Sequence, residues 1–234
     1  MISIEKVQEQ APDLVKHAET AAVSLTKNGL AGAQAAVYLV VDRSLSMRHY
    51  YADGSVQHLA DQALGLSVNL DDDGVVPLIM FDSRPYPTVG VHLADYRGVV
   101  GDQHRLHGGE RTMGGTHYTI AMHRVIEHYR SSGSTDPALV IFQTDGAPQD
   151  RSDTQVQLAM ASKLPLFWAF VGFGLSPVPF LQQLDTLPGR VVDNASYFHA
   201  GADPKSVTDN ALYDGITSEF AAWLPAARTA GVLA

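Results

Sequence analysis

Asp42, Ser44 and Ser46 stand at alternate positions at the end of an apolar run, in the stretch Val37 to Met47 that reads VYLVVDRSLSM. Carboxylate and hydroxyl oxygens are hard donors, suited to magnesium, manganese or calcium rather than to zinc. Two other stretches carry the same donor types. Thr116 follows the paired glycines Gly114-Gly115, and Thr144-Asp145-Gly146 follows a second apolar run. Together these residues suggest one cation held by oxygens from three loops. That chemistry requires elements that bring positions 42, 116 and 145 to one point.

The elements can be read from periodicity. A continuous apolar run predicts a strand buried on both faces, and such runs end at Asp42, at Phe142 (starting from Ala138) and at Val171 (starting from Leu166). Val75 to Phe81 reads as a further strand. Asp82-Ser83-Arg84-Pro85 reads as a turn, and Tyr86 to Val91 as a short antiparallel strand at the sheet edge, where prolines are tolerated. A weaker strand is expected near Tyr197-Phe198.

Helical patterns alternate with these strands. Ile4, Val7, Ala11, Leu14, Ala18, Ala21 and Leu25 form one apolar stripe over residues 2 to 30, interrupted at Pro12, on a helix expected to pack on the sheet. Further helices are predicted from Val56 to before Asp71, over Leu93 to Val100, Tyr118 to Tyr129, Ser152 to Leu164 and Pro179 to Leu187. A last helix carries Leu212, Ile216, Phe220, Trp223 and Leu224, with Asp203 as its N-cap and Pro204 at its first position.

This alternation predicts a doubly wound α/β domain with a mostly parallel sheet of about six strands and one antiparallel edge strand. Residues 1–234 read as a single domain, with a helical extension over 1–30 packed on a core over 35–226. In a 3-2-1-4-5-6 sheet the strands that end at Asp42 and Asp145 are neighbours. The crevice between them is the switch point where such folds bind ligands.

Composition narrows the function. The chain has 234 residues, 45% hydrophobic and 18% charged, as expected for a globular protein with a substantial core. Its net charge of -9 and sixteen scattered basic residues argue against a nucleic-acid partner. The absence of cysteine excludes a disulfide, a thiolate metal site or a cysteine nucleophile in this chain, and fits a reducing cytosol. The first twenty residues are polar with no apolar h-region, and no apolar run approaches the ~18 residues of a membrane span. The expectation is a soluble, cytoplasmic protein.

The order D-x-S-x-S, then threonine after paired glycines, then T-D-G after a strand resembles the metal-ion-dependent adhesion site of von Willebrand factor type A (vWA) domains. The resemblance covers roughly residues 30 to 226. With the N-terminal helix and the DDDG segment, the whole chain resembles the TerF-like branch associated with bacterial tellurium resistance and stress response. It implies a vWA fold and one divalent cation, magnesium or else manganese or calcium. Ser44, Ser46 and Thr116 would then be direct ligands, while Asp42 and Asp145 hold the ligand waters and orient the serines. It also implies a protein partner that offers an acidic side chain to an open coordination position, and a binding module rather than an enzyme. One departure is Leu45, where the family has glycine between the serines; leucine fits that position if its φ is negative.

Other constellations are weaker. His104, His107, His117 and His123 are not arranged as H-E-x-x-H, so a zinc enzyme is disfavoured. Asp71-Asp72-Asp73 lacks the alternate spacing of a calcium loop, and Gly172-Phe173-Gly174 lacks the third glycine of a dinucleotide loop. The alternative function is a metal-dependent, phosphatase-like hydrolase with Asp42 as nucleophile. Such an enzyme wants a second aspartate two positions on as acid/base, and that position is Ser44. Neither G-x-S-x-G nor a P-loop is present.

Overall fold

The computed structural model describes residues 1–234. In chain order the elements are α1 (Ile4–Gln10), α2 (Val15–Lys27), β1 (Ala36–Asp42), α3 (Arg48–Ala52), α4 (Ser55–Leu70), β2 (Val75–Phe81), β3 (Val89–His92), α5 (Val99–Leu106), α6 (Tyr118–Ser132), β4 (Ala138–Thr144), α7 (Arg151–Ala161), β5 (Leu166–Phe173), α8 (Pro179–Asp185), β6 (Ala195–Gly201) and α9 (Asp209–Thr229). The sheet runs β3-β2-β1-β4-β5-β6, parallel throughout except for the antiparallel pairing of β2 with β3. The doubly wound architecture and the strand order expected from sequence are both present.

Strand β1 shows why a continuous apolar run folds this way. Val37, Leu39 and Val41 enter a core shared with α2, α4 and α9, whereas Tyr38 and Val40 enter a second core shared with α6, α7 and α8. Alternate side chains meet opposite layers of helix, so no position of the strand remains for a solvated residue. Polar residues begin only where the strand leaves the sheet. Asp42 lies opposite Phe81 of β2, and Val41 lies opposite Gln143 of β4. The carboxyl ends of β1 and β4 are therefore adjacent.

Some elements differ from the sequence expectation. The N-terminal pattern splits at Pro12 into α1, a 3-10 turn over Pro12–Leu14 and α2. Helix α2 packs mainly on α4 and α9, outside the sheet-facing layer, rather than on the sheet itself. The edge strand begins at Val89, not Tyr86. Pro85 makes only an isolated bridge to Phe81, Pro87 has no N–H to donate, and the Tyr86 side chain turns inward. Helix α5 begins after Gly98, whose φ of 73° is left-handed, so the predicted Leu93 to Val100 helix is displaced toward the C-terminus. Asp203-Pro204 opens a short 3-10 turn instead of the last helix; α9 is capped by Thr208, whose hydroxyl accepts from the Ala211 amide at 3.3 Å. No helix is long and apolar enough to cross a membrane.

One carboxylate on α4 makes the fold's stability depend on pH. Burial raises the Asp61 carboxyl to about 6, with a hydrogen bond from Gln57 opposing the shift. The folded protein thus binds this proton more tightly than the unfolded chain does. Its contribution to stability is complete below about pH 4 and is lost as pH rises through about 6. Asp61→Asn keeps an acceptor for Gln57 and removes the buried charge. Urea denaturation of the variant should show a gain of about 1–3 kcal/mol near neutral pH and none near pH 4.

Candidate metal centre

The Asp42 carboxylate is completely buried at the end of β1. One oxygen, Oδ1, accepts from the Ser44 amide at 2.6 Å, which closes the turn out of the strand. The other, Oδ2, accepts from the Thr144 hydroxyl of β4 at 2.6 Å. Tyr51 of α3 donates to the Asp42 carbonyl at 3.0 Å. Burial pushes the Asp42 carboxyl up to about 7, against the lowering effect of its Thr144 and Ser44 hydrogen bonds; the nearby Asp145 charge adds to the rise.

Beyond Asp42 the hydroxyls form a chain toward solvent. Ser44 Oγ lies 3.2 Å from Ser46 Oγ, and Ser46 Oγ donates to Asp145 Oδ1 at 2.8 Å. Burial also raises the Asp145 carboxyl, with the Ser46 hydrogen bond and the His49 charge opposing. The salt bridges of this edge go to Asp82 and, from Arg48, to Glu110, rather than to either of these aspartates. Two carboxyls disfavoured as anions, with hydroxyl oxygens between them, make an environment that a small cation would stabilise.

The third loop is fixed by backbone. Ser44 and Gly114 form a parallel bridge, and the Leu45 amide donates to the Gly114 carbonyl at 3.0 Å. Close approach favours glycine at 114, where a Cβ would also crowd the buried Asp82 carboxylate, whereas at 115 it would meet only the end of the flexible Gln149 side chain. A Cβ on Gly114 would lie 2.5 Å from Ser83 Oγ, and one on Gly115 would lie 2.7 Å from Gln149 Oε1. Thr116 follows, its carbonyl accepting from the Gln149 amide at 2.8 Å. Asp150 then accepts from the amides of Tyr118 and Thr119 at 3.1 and 3.0 Å, capping α6 from the loop after β4. The structure thus joins Asp42, Ser44, Ser46 and Asp145 through one hydrogen-bonded network. It brings Thr116 beside them through the backbone, without a side-chain hydrogen bond to the other four.

Leu45 sits in a short 3-10 turn, and no residue other than glycine has a positive φ. The leucine is therefore accommodated without backbone strain, and its side chain is 60% exposed. The histidines are dispersed. His104 stacks on Tyr51, His123 bonds Gln157, and His117 precedes α6. No group of three or more His, Asp or Glu side chains converges into a metal cage. A cation at this edge would depend on hydroxyl donors and on water.

Sequence reasoning passed over Arg43, the variable residue of D-x-S. Its side chain is fully buried. Nη1 donates to Asp82 Oδ2 at 3.1 Å, to the Tyr86 hydroxyl at 2.6 Å and to the Thr112 carbonyl at 3.3 Å. Nη2 donates to the carbonyls of His107 and Gly109 at 3.0 and 2.8 Å and to the Thr112 hydroxyl at 2.7 Å. Arg43 thereby ties the connection that carries Thr116 to the ends of β1 and β2. Asp150 was also missed as a site-building residue, and Thr144 was read as part of a donor stretch but not as the hydrogen-bond partner of Asp42. A signal existed for Arg43: a basic residue after one strand and Asp82 after its neighbour are a charge pair once the strands align. Asp150 offered none, because it caps a helix that begins thirty-two residues earlier in sequence.

Comparisons with known proteins agree with this architecture. The family model vWA-TerF-like, described as the vWA found in the TerF C terminus, matches residues 34–233. The uncharacterized protein YcbR of Bacillus subtilis (strain 168) is 31% identical over 216 residues, covering 90% of this chain and 86% of that protein. Among solved structures, the manganese-loaded TRAP protein of Plasmodium vivax is similar with a TM-score of 0.51 at 18% identity, over 78% of this chain and 74% of that one. The VWA2 paralog of ArnB from Sulfolobus acidocaldarius gives 0.46 at 16% identity, over 74% of this chain and 42% of that one.

Removing Arg43 should destabilise the protein through Asp82, which would be left buried without its main countercharge. Arg43→Met is expected to lower stability by about 3–5 kcal/mol in chemical denaturation. Arg43→Met combined with Asp82→Asn should recover part of that loss, because the orphaned charge is gone.

Proposed function

This chain belongs to the vWA-TerF-like family, and from that premise we propose that it is a divalent-cation-dependent protein-binding module. Ser44, Ser46 and Thr116 would be the direct ligands of a magnesium ion. Asp42 and Asp145 would hold its waters and orient the serines. The observation that carries the reading is the network itself: Asp42 buried beneath Ser44, and Ser44, Ser46 and Asp145 linked in sequence toward solvent. The donors are oxygens only, which suits a hard cation. The manganese in the Plasmodium TRAP protein supports a divalent ion in a related fold.

Ligation mainly by neutral hydroxyls leaves such an ion electrophilic, so that a partner's carboxylate can fill an open position. The chain's own residues supply the placement. Thr144 and the Ser44 amide hold both oxygens of Asp42, and Arg43 holds the connection that presents Thr116. The same arrangement supports binding over hydrolysis. A nucleophilic Asp42 would need a free oxygen facing substrate, whereas both its oxygens are engaged and the side chain is fully buried. As part of the same proposal we assign it a role in bacterial tellurium resistance or stress response, in the cytoplasm, which the resemblance to the TerF-like branch implies.

The test is thermal and chemical unfolding with magnesium or manganese, beside Asp42→Ala and Ser44→Ala. At a hundred times its dissociation constant the ion should stabilise the wild type by about 2.7 kcal/mol and leave both variants unchanged. Equal responses of wild type and variants would place the ion elsewhere. A wild type indifferent to both ions would remove the reading.

A further inference from the structure

We infer that the groove between α6 and α7, away from the cation site, docks a short amphipathic helix of a partner protein. The helix seats its apolar face on Ile126, Met160 and Leu164 and pairs carboxylates in its first turn with Arg130 and Lys163.

The groove encloses about 810 Å³ along the second halves of both helices, lined from His123 to Ser131 on α6 and from Gln157 to Leu164 at the end of α7. Its walls are joined before it opens. Asp150 accepts from the Tyr118 and Thr119 amides at the start of α6, and its carbonyl accepts from the Thr154 amide of α7 at 2.9 Å. Further along, His123 Nε2 lies 2.9 Å from Gln157 Oε1. A groove held open in this way costs little ordering when it is filled.

Four apolar side chains line this one cavity: Ile126, Met160, Ala161 and Leu164. Ile126 and Ala161 are buried and Leu164 is half-buried, whereas Met160 stands 63% exposed. Val156, four residues before Met160 on the same face of α7, is 58% exposed and extends the apolar strip. Methionine is unbranched and polarizable, and adapts to whatever surface covers it.

Charge selects the occupant. Arg130 and Lys163 line the same cavity, and neither has an acidic partner within the chain. The groove's one carboxylate, Glu127, is paired with Arg124 at 3.1 Å. A positive groove is thus left on a protein of net charge -9. Because β4 and β5 are parallel and α6 and α7 lead into them, Arg130 and Lys163 lie at the same end of the groove. From His123 to Ser131 helix α6 rises about 12 Å, or two turns. A partner helix of that length would carry apolar residues three and four apart over the floor and its acids at one end. Acids in the first turn also stabilise the partner's own helix.

The experiment selects displayed random peptides of about 15 residues, long enough for a few helical turns, on the full-length chain in EDTA, where the cation site takes no part. Enriched sequences are then synthesised and measured by fluorescence anisotropy and circular dichroism. They should carry Asp or Glu ahead of apolar residues spaced three and four apart, and should gain helix on binding. Met160→Gln should weaken binding about tenfold. Arg130→Ala with Lys163→Ala should do the same and remove most of the salt dependence. All three side chains are exposed, so the melting temperature should not change. Magnesium in place of EDTA should leave the affinity unaltered. Failure to enrich any peptide, enrichment of peptides without acids, or binding indifferent to these substitutions would each overturn the inference. Met160-dependent self-association in light scattering would also overturn it, by making a second copy the occupant. None of these outcomes bears on the cation reading, which the magnesium response of Asp42→Ala and Ser44→Ala tests separately.

Discussion

The fully buried Arg43–Asp82 pair is the contact on which the candidate site's geometry depends. Two charges removed from water are stabilising only when their remaining donors and acceptors are also satisfied. Here both terminal nitrogens of the guanidinium meet that condition by gathering carbonyls from His107, Gly109 and Thr112, leaving only Nε without a partner, and Asp82 meets it through the Tyr86 hydroxyl and the Arg84 amide. The long connection between β3 and α6 is thereby brought against the ends of β1 and β2. Thr116 owes its position to that connection, two residues after Gly114 pairs with Ser44.

A tension between stability and function follows. The pair at Asp82 is internally compensated, whereas Asp42 and Asp145 are not. Both are raised by burial, and only hydrogen bonds and the His49 charge hold the shifts down. A fold selected for stability alone would place an apolar or amide side chain at the end of β1, as it does along the rest of that strand. A retained buried carboxyl with no basic partner is the kind of local inconsistency expected at a working site.

Much of the fold was legible because burial on both faces leaves so plain a mark. The runs ending at Asp42, Phe142 and Val171 have no polar alternation, and only strands between two helical layers need none. The departures arose where local signals competed. Tyr86 looked like a strand residue but is drawn inward to Arg43 and Asp82. Asp203-Pro204 has the composition of a helix start, yet it opens a separate turn. The stripe on α2 was correctly read as apolar, but periodicity shows that a face is buried and not what covers it.

The sequence by itself determined the strand ends, and therefore the positions of Asp42 and Asp145, because a strand must stop where its apolar run stops. It also determined the donor chemistry, since oxygen ligands can be read from residue types. Only the tertiary structure decided which of these residues touch. The Thr144 hydroxyl on Asp42, Arg43 on three separated carbonyls and Asp150 on the start of α6 join positions thirty to a hundred residues apart. Such contacts are set by strand register and loop closure, which leave no local pattern in the chain.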